Sequence, residues 1–263
     1  MTNWKEMPAW QHLQKYRPLL YELVVRDLKV KYRRSFLGYL WSLLNPLLMM
    51  AVMSFVFSYI FRYDIENYPL YLICGQTLWG FFNESTNMAM YSVLQNGSLI
   101  KKVYIPKFIF PMSRVFSSFV TMSFSLGAIL IVMLVTRAPL HWQLLLFPLP
   151  LILLLLFAMG VSMVLSSLSV YFRDVTHLYS VVTLAWMYVT PVFYPVSALP
   201  DEVAWVLKLN PMYSYLDNFR QLVLYGSLPT AKSWCICLLC SGVALAVGLA
   251  VFRKLQRNFI LYL

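Results

Sequence analysis

A dense basic stretch, Arg26, Lys29, Lys31, Arg33 and Arg34, runs straight into Gly38–Phe61, 24 residues without a charge. As a helix rising about 1.5 Å per residue, that run reaches about 36 Å, enough to cross a hydrocarbon core of about 30 Å with some tilt. Lys15 and Arg17 add to the cations at its leading end, and cations flanking a span hold that flank in the cytoplasm. One segment thus sets both the solvent of the fold and its orientation.

Composition agrees. Of 263 residues, 60% are apolar and only 12% charged, with a mean hydropathy of +0.68; a soluble domain carries about twice that charged fraction. The formal charge of +11 points away from nucleic acid, because the cations sit at the ends of apolar runs. That is positive-inside topology, with anionic membrane lipid as a further partner. Met1–Arg34 lacks a short apolar core and a small-residue cleavage site, so no cleaved leader is expected there.

Further apolar stretches at about Tyr71–Val93, Ile109–Val135, Leu144–Val170, Leu178–Leu199 and Trp234–Phe252 bring the expected spans to six. Charge tests that count independently. With both termini cytoplasmic, the inside segments and Arg114 hold 16 of the 21 Lys and Arg residues, leaving Arg62, Arg137, Lys208, Arg220 and Lys232 outside. The expected organisation is a cytoplasmic or interfacial segment, 1–36, followed by a six-span domain, 37–263. Within the first, Leu20, Leu23, Val24 and Leu28 share one helical face, with Arg17, Glu22, Arg26 and Lys29 largely opposite. That pattern reads as an amphipathic helix in the interface, against the simpler reading of a solvated basic lead-in.

The fifth span is irregular. Pro191, Pro195 and Pro200 fall within ten residues, and proline removes a backbone donor and clashes with the preceding turn. Broken backbone at membrane depth survives only against protein or a wet cavity. Thr190–Tyr225 therefore reads as short re-entrant helices between spans 5 and 6, or alternatively as a long outer loop. The expected fold class is all-α integral membrane: six transmembrane helices, an N-terminal interfacial amphipathic helix and this re-entrant pair.

Catalytic chemistry finds little support. Cys235, Cys237 and Cys240 lie in an apolar helix without nearby His or acid, and Cys235 and Cys237 point about 200° apart, so no metal site is expected. The acidic cluster with which a membrane transferase holds metal and phosphate is missing, and no catalytic residue is expected. Glu84, mid-span and flanked by Asn83 and Asn87, must face a partner, water or a substrate, since a lipid-facing carboxylate is costly. Among 44 aromatic residues, Tyr39, Trp41, Tyr188, Phe193 and Tyr194 are candidates to line a path with Glu84, as rings stack on sugar C–H faces; the alternative is ordinary interface anchoring. This sequence contains no G-x-x-x-x-G-K-[ST], so it cannot itself hold ATP in a P-loop, and any active transport would draw on a partner or an ion gradient.

R-D-L-K-x-K-Y-R-R-S-x-L-G-x-L-W-x-L-L-N-P at Arg26–Pro46 resembles the opening motif of ABC-2 type permeases. I-K-K-V-x-x-P-K at Ile100–Lys107, Y-F-R-D-V at Tyr171–Val175, T-P-V-F-Y-P at Thr190–Pro195 and N-P-M at Asn210–Met212 extend it along essentially the whole chain. The likeness is strongest to the subfamily exporting O-antigen, group 2 capsule and teichoic acid. It implies a permease homodimer in a bacterial inner or plasma membrane, carrying a lipid-linked polysaccharide. Two copies of a cytoplasmic ABC ATPase would bind ATP and Mg, with no cofactor in this chain. It implies coupling contacts at Lys101, Lys102, Pro106, Lys107, Arg173 and Asp174, and a channel lined from the first and fifth spans. Lys29, Lys31, Arg33 and Arg34 at its mouth are candidates to receive the carrier's pyrophosphate, against a purely topological role. A drug- or lipid-exporting ABC-2 permease, and more remotely an enzyme acting on lipid-linked sugars, are the rival readings.

The topology makes a direct prediction: alkaline phosphatase fused after Tyr63 should be active in whole cells, and the same fusion after Lys102 inactive.

Overall fold

The computed structural model describes residues 9–33, 35–60, 65, 67–198, 200, 205, 207 and 209–263, with side chains described throughout these except at 9–14 and 58–60. Among them the regular elements are helical: α1 (Ala9–Tyr32), α2 (Trp41–Ile60), α3 (Tyr68–Gln95), the short α4 (Gly97–Lys102), α5 (Ile109–Val135), α6 (Pro148–Tyr171), α7 (Val175–Val189), α8 (Pro211–Val223), α9 (Ala231–Leu255) and α10 (Phe259–Tyr262). Among the described residues four helical stretches are long and apolar enough to cross a membrane: Gly38–Phe57, Ile109–Val135, Trp142–Tyr171 and Ala231–Tyr262.

The other two expected spans differ from these for physical reasons. At 28 residues α3 is about 42 Å long, but Gln76, Asn83, Glu84 and Asn87 make it more polar. It tolerates them by lying inside the protein: Leu70, Leu72, Ile73, Leu78, Phe82, Ala89, Met90 and Val93 are fully buried, mainly against α5 and α6. The apolar run Leu178–Leu199 is not one helix. α7 has 15 residues, about 22 Å, and the chain turns at Thr190 where Pro191 cannot continue it.

Local chemistry sets the ends. Asn67 opens α3 from a left-handed backbone (φ 53°); its side-chain carbonyl accepts the Leu70 N–H, its amide donates to Thr136 Oγ1 at 2.8 Å, and Pro69 sits in the first turn, where its missing donor costs nothing. Thr190 closes α7 by donating to the Trp186 carbonyl, and Asn210 opens α8 by accepting from Met212 N–H. Trp186 packs edge-on against Phe82 and Trp79, pinning the short α7 to the middle of α3.

The closest helix crossing is α6 on α9. A Cβ at Gly160 would run into the Ala244 and Leu245 backbone, and one at Gly248 into the Gly160 carbonyl. Small residues four apart let the two backbones touch, as apolar helices require when lipid supplies no hydrophobic drive between them. At the basic end the chain folds back: Phe259 is fully buried, and Leu263 packs against Gly97.

Gly160→Leu should therefore part α6 from α9, costing at least the roughly 1–3 kcal/mol of an overpacked core and lowering the thermal unfolding midpoint in detergent. Gly242→Leu, on α9 but facing open space, should leave that midpoint unchanged.

Candidate functional site

Gln76, Gly80, Glu84 and Met88 follow one another at four-residue steps along α3, with Gln95 further down the same winding stripe. Two concavities lie over it and meet at Glu84. The first, about 520 Å³, is walled by Trp41, Asn45 and Met49 of α2, by Ser118, Thr121 and Ser125 of α5, and by Met187, Val192 and Phe193. Inside it Gln76 Oε1 and Thr77 Oγ1 are buried without a protein partner. The second, about 660 Å³, opens toward the basic end between Arg26, Asp27, Gln95, Asn96 and Arg114. Lys31 and Glu84 line both. From Gln76 to Gln95 the stripe extends about 28 Å.

Helix α1 forms one wall of this track through a ridge of its own. Leu23, Asp27 and Lys31, again four apart, face inward: Leu23 and Asp27 are buried, while Arg17, Glu22, Arg26 and Lys29 are exposed. Asp27 pairs with Arg114 of α5 at 3.1 Å and accepts from neighbouring Arg26 at 3.1 Å; Arg114 also donates to Gln95. One turn on, Lys31 Nζ meets Glu84 Oε1 at 2.7 Å, with both side chains about one-third exposed (36% and 33%). Asp27–Arg114 is by contrast a sequestered pair, at 3% and 15% exposure.

At the far end of the track the chain break is held by α3 and α8. The fully buried Arg220 donates to the carbonyls of Pro191 (2.7 Å), Val192 (3.0 Å) and Tyr71 (3.2 Å), with its guanidinium 3.5 Å from the centre of the Tyr71 ring. Tyr68 donates to the Phe193 carbonyl, and Tyr71 to those of Pro191 and Tyr194. Asn210 donates to Thr190 Oγ1 and accepts from Trp186 Nε1. The T-P-V-F-Y-P and N-P-M motifs are thereby two halves of one bonded knot.

At the basic end, Lys101, Lys102, Val103 and Tyr104 are exposed beside α4, as are Phe172, Arg173 and Asp174 between α6 and α7. Pro106 and Lys107 are half-buried. Lys107 donates to the Gln256 carbonyl at 2.6 Å and sits over the Phe259 ring; this burial pushes its ammonium pKa down. Tyr171 donates to the Leu255 carbonyl and packs on Tyr262. The C-terminal turn thus bridges the two exposed loops.

Of the residues singled out from sequence, Lys31, Trp41, Glu84 and Phe193 line the first cavity together. Tyr39 packs at a tilt against Tyr32, ring centres 4.8 Å apart, beside the lining. Tyr188 is exposed and its carbonyl accepts from Tyr194, so this pair lies past the far end. Lys29 and Arg33 flank a shallow groove with Glu22 on another side of α1, and Arg34 lies outside the described residues. Asp27, Arg114, Gln76 and Thr77 were not foreseen, and Arg220, assigned to an outer loop by charge, is a buried clamp. The four-residue spacing of Leu23, Asp27 and Lys31 was the available signal for the first of these. Among the described residues no group of three or more His, Cys, Asp or Glu gathers to hold a metal.

The family model for the ABC-2 type transporter matches residues 5–224. The chain is 32% identical over 245 residues to the O-antigen export system permease protein RfbA of Klebsiella pneumoniae, spanning 92% of this chain and 93% of that protein. Its likeness to the protein of the same name from Myxococcus xanthus is also 32%, over 95% and 96% of the two chains. The capsule polysaccharide export inner-membrane protein CtrC of Neisseria meningitidis is 24% identical, covering 90% of each.

The buried pair yields a test. Asp27→Asn leaves Arg114 without its counter-ion, and breaking a buried pair from one side costs about 3–5 kcal/mol. Folded yield in detergent should fall sharply. Asp27→Asn with Arg114→Gln should recover part of the loss, a coupling that a double-mutant cycle reads directly.

Proposed function

The chain belongs to the ABC-2 type transporter family, and we propose that it is the membrane permease subunit of an ATP-driven exporter of a polyprenyl-pyrophosphate-linked polysaccharide. The observation that carries this reading is the end-to-end similarity, 32% over 92% of the chain, to permeases named for O-antigen export. The membrane is the bacterial inner or plasma membrane, with both termini cytoplasmic and six crossings: the four long apolar helices, the sheltered α3, and α7 completed by the Thr190–Pro195 turn. On this reading α8 is a re-entrant helix near the outer exit, and α1 lies in the cytoplasmic interface.

The track fits a saccharide path. Its walls pair rings, Trp41, Trp79 and Phe193, with small donors and acceptors, Asn45, Gln76, Thr77 and Ser125. That mixture stacks on sugar faces and exchanges hydrogen bonds with hydroxyls while holding none of them tightly. Movement is driven from outside the chain: an ABC ATPase bound at the Lys101–Lys107 and Arg173–Asp174 loops holds the ATP and Mg. Two permeases and two ATPases make the working unit, with the path between the permeases.

Mass spectrometry of polyprenyl-linked glycans in cells depleted of this protein, with a complemented control, tests the reading. A long lipid-linked polymer should accumulate inside and disappear from the surface. Unchanged glycans under confirmed depletion would overturn it in favour of drug or lipid export.

A further inference from the structure

The Lys31–Glu84 pair stands where the two concavities meet, so the track is crossed at its midpoint by one ion pair. On one side lies the vestibule at the basic end, where Arg26, Lys31 and Arg114 outnumber Asp27 and Glu84. On the other lies the ring- and amide-lined cavity. The two ion pairs of α1 differ in a way that assigns them different work. Asp27 is sequestered and shared by two arginines, so it anchors the helix. Lys31–Glu84 is one-third exposed, single and monodentate, and pairs of that kind contribute little to stability. It is placed to exchange partners.

We infer that Lys31–Glu84 is a gate, in which Lys31 is the receptor for a phosphate or diphosphate group arriving through the vestibule and Glu84 is the internal anion it displaces. Glu84 mimics the ligand. A lysine ammonium on its four-carbon stem swings between acceptors without moving the helix, and a diphosphate offers more charge and more acceptor oxygens than one carboxylate. Once Lys31 turns to the incoming anion, the bar across the track is withdrawn, and the group behind the phosphate faces the unpartnered Gln76 and Thr77. The fixed charges agree: Arg26 and Arg114 add positive potential to the vestibule, while the buried Asp27 keeps Arg114 in a sequestered pair. Lys29 and Arg33, on another side of α1, take no part. The identity of the head group as that of a lipid carrier rests on the exporter reading; the gate itself rests on the geometry.

The test uses the full-length permease in lipid nanodiscs, with inorganic diphosphate as the first probe. Glu84→Gln should tighten diphosphate binding at least threefold, and Lys31→Gln should weaken it at least threefold. A mere tie between α1 and α3 predicts changes of the same sign, or none, and either result overturns the gate. Wild-type protein gives a measurement independent of how the variants fold: amine-reactive footprinting read by mass spectrometry. Diphosphate should protect Lys31 at least threefold and leave Lys29 unchanged; equal protection of both, or of neither, overturns the proposal. Nanodiscs doped with a polyprenyl diphosphate should give the same selective protection, whereas protection by inorganic diphosphate alone would overturn the assignment to a lipid head group. Glycan analysis of depleted cells is a separate readout, so loss of the export reading and loss of the gate are told apart.

Discussion

A chain that breaks its helix at membrane depth must supply every freed carbonyl with a donor of its own, because lipid supplies none. On the proposed six-crossing topology Thr190–Pro195 is such a break, and the positions of α3 and α8 follow from meeting its needs. Pro191 and Pro195 have no N–H to give, so carbonyls there outnumber donors. Arg220 serves three carbonyls from one buried guanidinium, two of them in the break, Tyr68 and Tyr71 serve those of Phe193 and Tyr194, and backbone N–H groups serve those of Thr190 and Pro195. The planar fork of arginine matches that task, and its face stacks on Tyr71. Even Gly75 follows from it, since a Cβ there would strike the guanidinium and the Val192 carbonyl. The first turns of α3 must therefore stand against both α8 and the break, which places α3 at the centre of the molecule and its polar stripe on a wall.

The other end is organised by ions. α1 is held through Asp27 by Arg114 near the start of α5, and its Lys31 meets Glu84 halfway along α3. The second contact reaches the point where the track is narrowed, so any displacement of α1 acts on the track directly. The C-terminal turn adds a brace, with Lys107 fixed to Gln256 and Tyr171 to Leu255. Force applied at the loop of Lys101–Lys107 or at Arg173–Asp174 meets a tied unit rather than two independent hinges.

Much of this was legible in the residues. Long uncharged runs gave α2, α5, α6 and α9 because length and apolarity alone decide whether a helix tolerates lipid. The prolines marked the break, and the amphipathic spacing of Leu20–Leu28 marked α1. What stayed hidden was partnership. Arg220 looked like a loop cation because its acceptors are backbone carbonyls, which every sequence contains; Asp27 was lost among cations because its partner lies 87 positions away. Glu84 announced itself by its cost, yet Lys31 was one of five nearby cations that spacing could not separate until α1 had a fixed rotation. The same rotation is what divides Lys31 from Lys29 and Arg33.

One feature of α2 bears on how the track is closed. Only 6% of its apolar stretch is buried, and Leu48, Val52 and Phe55 are well exposed. Lipid satisfies those side chains. It does not satisfy Asn45, an exposed amide between Trp41 and Met49 on the wall of the first cavity, since a polar group facing hydrocarbon is costly without a partner. The proposed second permease answers both facts at once. Placed against α2, it would cover the open side of the cavity and turn a groove with one polar wall into a passage with two. A saccharide would then meet rings, amides and hydroxyls such as Trp41, Asn45 and Ser125, with the apolar face of α2 left to seal the rim.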